Sequence, residues 1–340
     1  MKRRDFLQLG GAAAVTGLGL PAWAQSSSVT TAIYPNTWEE AYRNIVTPAL
    51  KAKSDVELRM QSLWAVDQIA KARASRGRPP FDTFVLDPGP RVTGIESGLF
   101  EKFDGSKLSN ASKLQPGMVD EHGVTVAAQF VGIAYNPKKF SKPPTSWKEL
   151  FTEPYVSRLG LTGFQTTFGT VSIIEMAKAF GGSESNVEPF FTELKKVLPK
   201  VAVIGNSASM PSMFQQGQCD IMYANSQTVS TLKAKGVDIE MATPDTGMIA
   251  FFTTMHIAKG SKNVEAAYKL IDAVLDAQVQ KNLMASPYDF APVNSEVSLA
   301  GAGLPLQSLS EMSKMVQHDW SKINPQRPDW IERFNREVAR

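Results

Sequence analysis

Val124-Thr125-Val126-Ala127-Ala128-Gln129-Phe130-Val131-Gly132-Ile133-Ala134-Tyr135 is a mostly apolar run with one amide, Gln129, inside it. A buried amide needs a hydrogen-bond partner, so Gln129 is a candidate site residue. Upstream of this run the chain alternates between two periods. Residues 29–34 read as a strand broken by Pro35-Asn36-Thr37, and Thr37 is placed to cap a helix over 38–53. Residues 56–60 alternate as a strand, 65–75 form a basic helix, and Phe81-Asp82-Thr83-Phe84-Val85-Leu86 is a strand that stops at the turn Asp87-Pro88-Gly89-Pro90. Strands that alternate with helices argue for an α/β lobe with a largely parallel sheet.

Downstream the pattern starts again. Ser146 caps a short helix, and 158–162 is a strand. The polar loop Gly163-Phe164-Gln165-Thr166-Thr167-Phe168-Gly169-Thr170 opens a helix that Gly181-Gly182 ends. Further strands are expected at 201–204, 220–223 and 239–242, with a helix over 210–216. Residues 247–257 form a second long apolar run. Residues 264–285 read as one amphipathic helix and 329–339 as a charged terminal one.

The first 24 residues carry a different signal. Arg3-Arg4 ahead of Phe6-Leu7, a short apolar stretch over 9–20, and Ala22-Trp23-Ala24 read as a twin-arginine export signal, with a mature chain starting at Gln25. The apolar stretch is too short to span ~30 Å of hydrocarbon. No cysteine stands at the cleavage site to carry a lipid. A soluble periplasmic product is expected.

The formal charge of +3 includes +2 from Lys2, Arg3, Arg4 and Asp5, leaving +1 for the mature chain. That balance speaks against a nucleic-acid or membrane-surface binder. The 316 mature residues exceed the usual limit of a single core, so two lobes are expected. The lone Cys219 excludes an intrachain disulfide and reads as an inert core thiol. His122, His256 and His318 lie far apart, with no metal-ligand spacing, and no nucleophile elbow, P-loop or dinucleotide fingerprint is present. No cofactor and no metal are expected, and binding is favoured over catalysis. The twin-arginine route keeps one alternative open, a periplasmic enzyme exported with its cofactor.

In order, several pieces resemble the type 2 periplasmic solute-binding proteins of ABC importers, and within them the branch that binds spermidine/putrescine, thiamine, ferric ion and phosphonates. They are Trp38 with Pro48-Ala49-Leu50, the strand 81–85, Gly132-Ile133-Ala134-Tyr135-Asn136, and Pro144-Thr145-Ser146-Trp147-Lys148-Glu149-Leu150-Phe151. Gln215-Gln216-Gly217-Gln218-Cys219-Asp220-Ile221, Ala258-Lys259-Gly260-Ser261-Lys262-Asn263 and the helix from Trp330 to Glu337 complete the set. The resemblance implies a two-lobe α/β fold, each lobe a mixed, mostly parallel sheet flanked by helices, joined by crossover strands near 130–133 and 249–254. Lobe 1 would comprise 28–130 and 252–300, and lobe 2 would comprise 131–251 and 301–340. It also implies a monomeric receptor that hands its solute to a membrane ABC permease, with a sensory role as a variant of the same clamp.

Ligands of such sheets sit at strand carboxyl ends and helix amino ends. That rule nominates Asn36, Thr37 and Trp38 after the first strand, Asp87 after the third, and Gln129 in the first crossing. It adds Thr166 and Thr167 at a helix start, Tyr223 and Asn225, Phe251 and Thr253 on the return crossing, and Tyr288 with Asp289. Trp38 offers a stacking face or a cation–π surface, and Asp87 an ion-pair partner. Polyamine binders resembling this chain place an acid where Thr253 stands, and the loop 164–170 has no carboxylate. Paired tyrosines for ferric ion are absent, and no basic residue lies between Leu159 and Glu175 for a phosphonate. A small organic cation, polyamine- or thiamine-like and most readily a monocation, is the expected ligand; a small carboxylate or phosphonate at the helix start is the alternative.

Overall fold

Ten strands form one continuous sheet in the computed structural model, which describes residues 27–339. The leader expected over residues 1–24 lies outside the described residues. The strands are β1 (Ser28–Ile33), β2 (Glu57–Ser62), β3 (Thr83–Leu86), β4 (Val119–Asp120), β5 (Gly123–Tyr135), β6 (Leu159–Leu161), β7 (Val203–Ile204), β8 (Ile221–Asn225), β9 (Glu240–Ala242) and β10 (Ile249–Ile257). Their order is β2-β1-β3-β10-β5-β8-β6-β7, with β4 and β9 paired to β5. Each wing is parallel: β2, β1 and β3 on one side, β8, β6 and β7 on the other. The two long apolar runs of the sequence, β5 and β10, cross between the wings and pair antiparallel to each other. Their first and last halves belong to different wings. β5 meets β8 and β9 through residues 131–135, whereas β10 meets β3 through residues 254–257.

Two large cores follow from this arrangement. One gathers Ile33, Tyr42, Phe84, Met255 and Leu270 on the first wing. The other gathers Ile133, Trp147, Phe164, Phe190 and Phe334 on the second. A third cluster, with Phe130, Ala250, Leu306 and Met312, covers one face of the crossing strands with the chain after residue 300. The short helix Trp320–Ile323 then lies against the helix Pro88–Glu96 of the first wing: Asn324 Nδ2 donates to the Gly89 carbonyl at 2.8 Å. A Cβ on Gly89 would come within 2.6 Å of the Trp320 ring, so only glycine allows this approach. Among the described residues no helix is long and apolar enough to cross a membrane.

Three local readings are corrected. Thr37 is the first helical residue and caps nothing; Asn36, at φ 64°, occupies the cap position without a side-chain bond. The helix over 37–53 contains a wide π-turn, Tyr42–Val46, just ahead of Pro48, which has no N–H to continue the regular ladder. The expected single helix over 264–285 is two, Val264–Val274 and Ala277–Met284. The Asp276 carboxylate accepts from the Gln278 and Val279 amides and starts the second one afresh. Ser146 does cap its short helix, and Cys219 is buried, with its thiol pushed up to about 12 by desolvation.

Candidate ligand cleft between the two wings

Asp87 stands at the end of β3, where the strand direction aims the next side chain toward the opposite wing. Its Oδ2 accepts from Thr167 Oγ1 at 2.9 Å, and its Oδ1 from Thr253 Oγ1 at 3.2 Å. Thr167 opens the helix Thr167–Ala179 of the second wing and Thr253 lies on β10, so one carboxylate ties both wings and the crossing together. From Thr253 the network continues. Gln129 Nε2 donates to Thr253 Oγ1 at 3.0 Å, and Asn225 Nδ2 donates to Gln129 Oε1 at 2.9 Å. Asn225 Oδ1 in turn caps the helix Ser226–Ala234 through the Thr228 amide. Gln129 thus has the partners its burial demands.

Burial is the largest influence on Asp87 and raises its pKa; hydrogen bonds from Thr167, Tyr34 and Thr253 and the charge of Arg327 oppose it. Tyr34 also accepts the Asp87 backbone N–H at 2.8 Å. Arg327 is buried, and desolvation pulls its guanidinium down to about 10. It donates to the carbonyls of Phe164 and Gln165 at 2.9 and 2.8 Å, holding the loop that presents Thr167. Neither Tyr34 nor Arg327 was nominated from the sequence. Arg327 lies about 160 residues from the loop it braces, so no local spacing could reveal it. The basic group missing between Leu159 and Glu175 arrives from the terminal helix.

The second acid has different surroundings. Asp289 is buried, and desolvation lifts its pKa to about 6. Only the Ser226 hydroxyl and the more distant charge of Lys233 oppose that rise. Ser226 Oγ lies against Asp289 without the alignment of a full hydrogen bond, and Gln227 Nε2 in the same turn is buried without a partner. Asp289 adopts φ 57°; together with Asn36 it accounts for two of the three non-glycine residues at positive φ among those described. Such conformations concentrate at functional sites. Beside it, Phe290 stacks on Trp38 with centroids 4.2 Å apart. Thr231 Oγ1 of the second wing donates to the Pro287 carbonyl at 3.3 Å.

The nominated residues therefore divide. Asp87, Gln129, Thr167, Asn225 and Thr253 join in one hydrogen-bonded line, Phe251 pairs with Gln129 across the crossing strands, and Asp289 follows next to Ser226. Trp38 comes close, with one face taken by Phe290. Asn36 is exposed and Thr37 half-buried at the same turn. Thr166 is occupied with capping the Gly169 amide. Tyr288 accepts from Asn44 Nδ2 at 3.0 Å. Tyr223 points into the second core, where its hydroxyl bonds to both the backbone N–H and the carbonyl of Thr162.

The chain belongs to the bacterial extracellular solute-binding protein family, whose model matches residues 45–313. It is 26% identical over 202 residues to the spermidine/putrescine-binding periplasmic protein of Escherichia coli (strain K12), a match covering 55% of this chain and 56% of that one. It is 22% identical to a gamma-aminobutyric acid-binding protein of Pseudomonas aeruginosa, covering 66% and 65%. The fold superposes on the crystal structure of an ABC transporter protein from Clostridium perfringens ATCC 13124 with a TM-score of 0.72 and 23% identity, covering 91% of this chain and 99% of that one. The chain thus matches little more than half the length of the first of these relatives, and the two-wing architecture is that of the periplasmic binding proteins.

Proposed function

We propose that this protein is the periplasmic receptor of an ABC importer, that it clamps a small organic monocation between the lobes 28–130 plus 252–300 and 131–251 plus 301–340, and that a membrane permease takes the solute from the closed form. One observation carries the charge assignment. Of the two acids at the candidate cleft, half-buried Asp87 is answered by three hydroxyls and Arg327, whereas buried Asp289 has one nearby hydroxyl that makes no full hydrogen bond. A buried carboxylate without a counter-charge is costly, and a ligand ammonium would supply it. A single unanswered acid matches a single cationic centre better than the two or three of a polyamine. Trp38 and Phe290 offer apolar surface beside it. Relatives whose names carry polyamines and gamma-aminobutyric acid support a nitrogenous ligand.

The mechanism is a shift of an open–closed equilibrium by a ligand that touches both lobes, with the crossing strands β5 and β10 as the hinge. The Asp87–Thr167 bond latches the closed form. The carboxylate alternative has in its favour Arg327 and the helix start at Thr167, but that guanidinium already serves two carbonyls. Family membership favours a receptor over an exported enzyme, and export through the twin-arginine signal remains part of this proposal.

Calorimetric titration of protein starting at Gln25, stripped of carried-over ligand by unfolding and refolding, tests the reading. Thiamine, γ-aminobutyrate, a betaine, putrescine, spermidine and a phosphonate form the panel. Binding of a monocation that Asp289→Asn weakens by at least ~2 kcal/mol supports it. Tight binding of a phosphonate, or diamine binding indifferent to Asp289, overturns it.

A further inference from the structure

Trp64 is 48% exposed, whereas Trp38, Trp147, Trp320 and Trp330, the other tryptophans among the described residues, are buried. It follows β2. Because β2, β1 and β3 run parallel, their ends share one edge of the sheet, with Trp64 after β2, Tyr34 after β1 and Asp87 after β3. The Trp64 and Tyr34 ring centroids are 6.1 Å apart and the rings are tilted by 42°. Tyr34 is the residue whose hydroxyl accepts the Asp87 amide, and its ring meets that of Trp38 edge-on at 5.8 Å. An aromatic row therefore runs from Trp64 through Tyr34 and Trp38 to Phe290, the neighbour of Asp289. Its inner rings are buried and its outer ring is open. The backbone beneath the open ring is fixed. The Leu63 amide donates to the Ile33 carbonyl at 2.8 Å, and the buried Gln68 side chain donates to the Leu63 carbonyl at 3.1 Å while accepting the Val85 amide at 3.2 Å. Trp64 and Val66, two residues on, are the two large apolar side chains left exposed among the described residues. A large apolar ring left in water forfeits its burial energy, and one held at the rim of a ligand cleft is placed to recover it on binding.

We infer that Trp64 is a ligand-contacting residue, and that the ligand carries a flat ring, packed on the open indole face, in addition to the cationic centre held by Asp289. This rests on the monocation reading of the cleft and narrows it. Trp38 has one face taken by Phe290, so the tryptophan with surface to offer is Trp64. Planar rings stack on indole in an offset arrangement that an alkyl chain does not reproduce. A ringless cation of the same charge satisfies Asp289 and leaves the indole in water. Asp289 thus selects for charge and Trp64 for the ring, and substitutions at the two positions separate the roles.

Thiamine and tyramine are the ring-bearing probes and γ-aminobutyrate the ringless one, on protein starting at Gln25. Acrylamide quenching of tryptophan emission reads the exposed Trp64 in the native chain and needs no variant; a saturating ring-bearing probe should at least halve it. In calorimetry Trp64→Ala should weaken the ring-bearing probes about tenfold and leave γ-aminobutyrate nearly unchanged. Asp289→Asn should weaken both kinds. A ring-bearing probe that binds without shielding Trp64, an equal loss for both kinds in Trp64→Ala, or tighter binding of γ-aminobutyrate than of either ring overturns the inference and leaves the receptor reading in place. If no probe binds, the monocation reading falls and the inference falls with it.

Discussion

Asp87 and Asp289 are two acids at the same candidate cleft, the first half-buried and the second buried, and their surroundings are opposite. Asp87 is built into the scaffold. Three hydroxyls reach it from β1's end, β10 and the second wing, and a buried guanidinium stands near. Asp289 sits on a loop after the last long helix of the first wing, at positive φ, facing a misaligned serine. The first acid is bonded to groups of both wings, and the second is left without a full hydrogen bond from any of them. Identity of residue type decides neither role; the number of donors that tertiary structure delivers does.

The largest effect expected is structural. Trp38→Ala removes the ring stacked on Phe290 next to Asp289 and should cost about 3–5 kcal/mol in urea unfolding. A cost below ~1 kcal/mol would mean that the ring is held for ligand rather than for packing. Asp289→Asn comes next. It should weaken a cationic ligand by at least ~2 kcal/mol in calorimetry while leaving unliganded stability at pH 7 unchanged or higher. If Asp87→Asn instead gave the larger loss of ligand affinity, the comparison would be reversed.

Arg327→Gln should cost about 2 kcal/mol in unfolding, because two loop carbonyls lose charged donors and Asp87 loses its nearest cation. A pH series sharpens the contrast. Asp289 sits near 6 in the folded protein, above the ordinary 3.8. The folded state therefore holds this proton more tightly than the unfolded chain does, and the contribution of this residue to unliganded stability declines as pH rises from about 4 to 6. Cation binding needs the ionised form, so affinity should fall about tenfold between pH 7 and pH 5, and Asp289→Asn should erase that dependence. Smallest is Thr167→Val. Loss of one hydrogen bond between the wings should weaken ligand by about 1 kcal/mol and shift small-angle scattering of the unliganded protein toward a more open form.

Several elements were legible because local chemistry fixes them. The helix start at Thr167 follows from the polar loop ahead of it, the cap at Ser146 from its own side chain, and the crossings from two apolar runs too long for ordinary strands. Strand ends point to Asp87 and Asn225, and the two apolar crossings to the lone amide Gln129 and to Thr253; the four form one hydrogen-bonded line. What failed locally failed for local reasons. Apolar spacing runs unbroken through Leu275-Asp276, so only the capping geometry of Asp276 reveals two helices. Tyr223 lies on the same strand as Asn225, and period-two alternation gives both the same face, yet the tyrosine hydroxyl reaches Thr162 in the neighbouring strand's extension and is spent there.

By itself the sequence determined the α/β class, two cores of adequate size, and the crossing strands, because hydrophobic periodicity and chain length are properties of the chain alone. Only tertiary structure decided which acid is satisfied. Arg327 meets the loop at Phe164 and Tyr34 meets Asp87 after the chain has folded across many tens of residues, and a carboxylate's protonation depends on those distant donors and not on its neighbours in sequence.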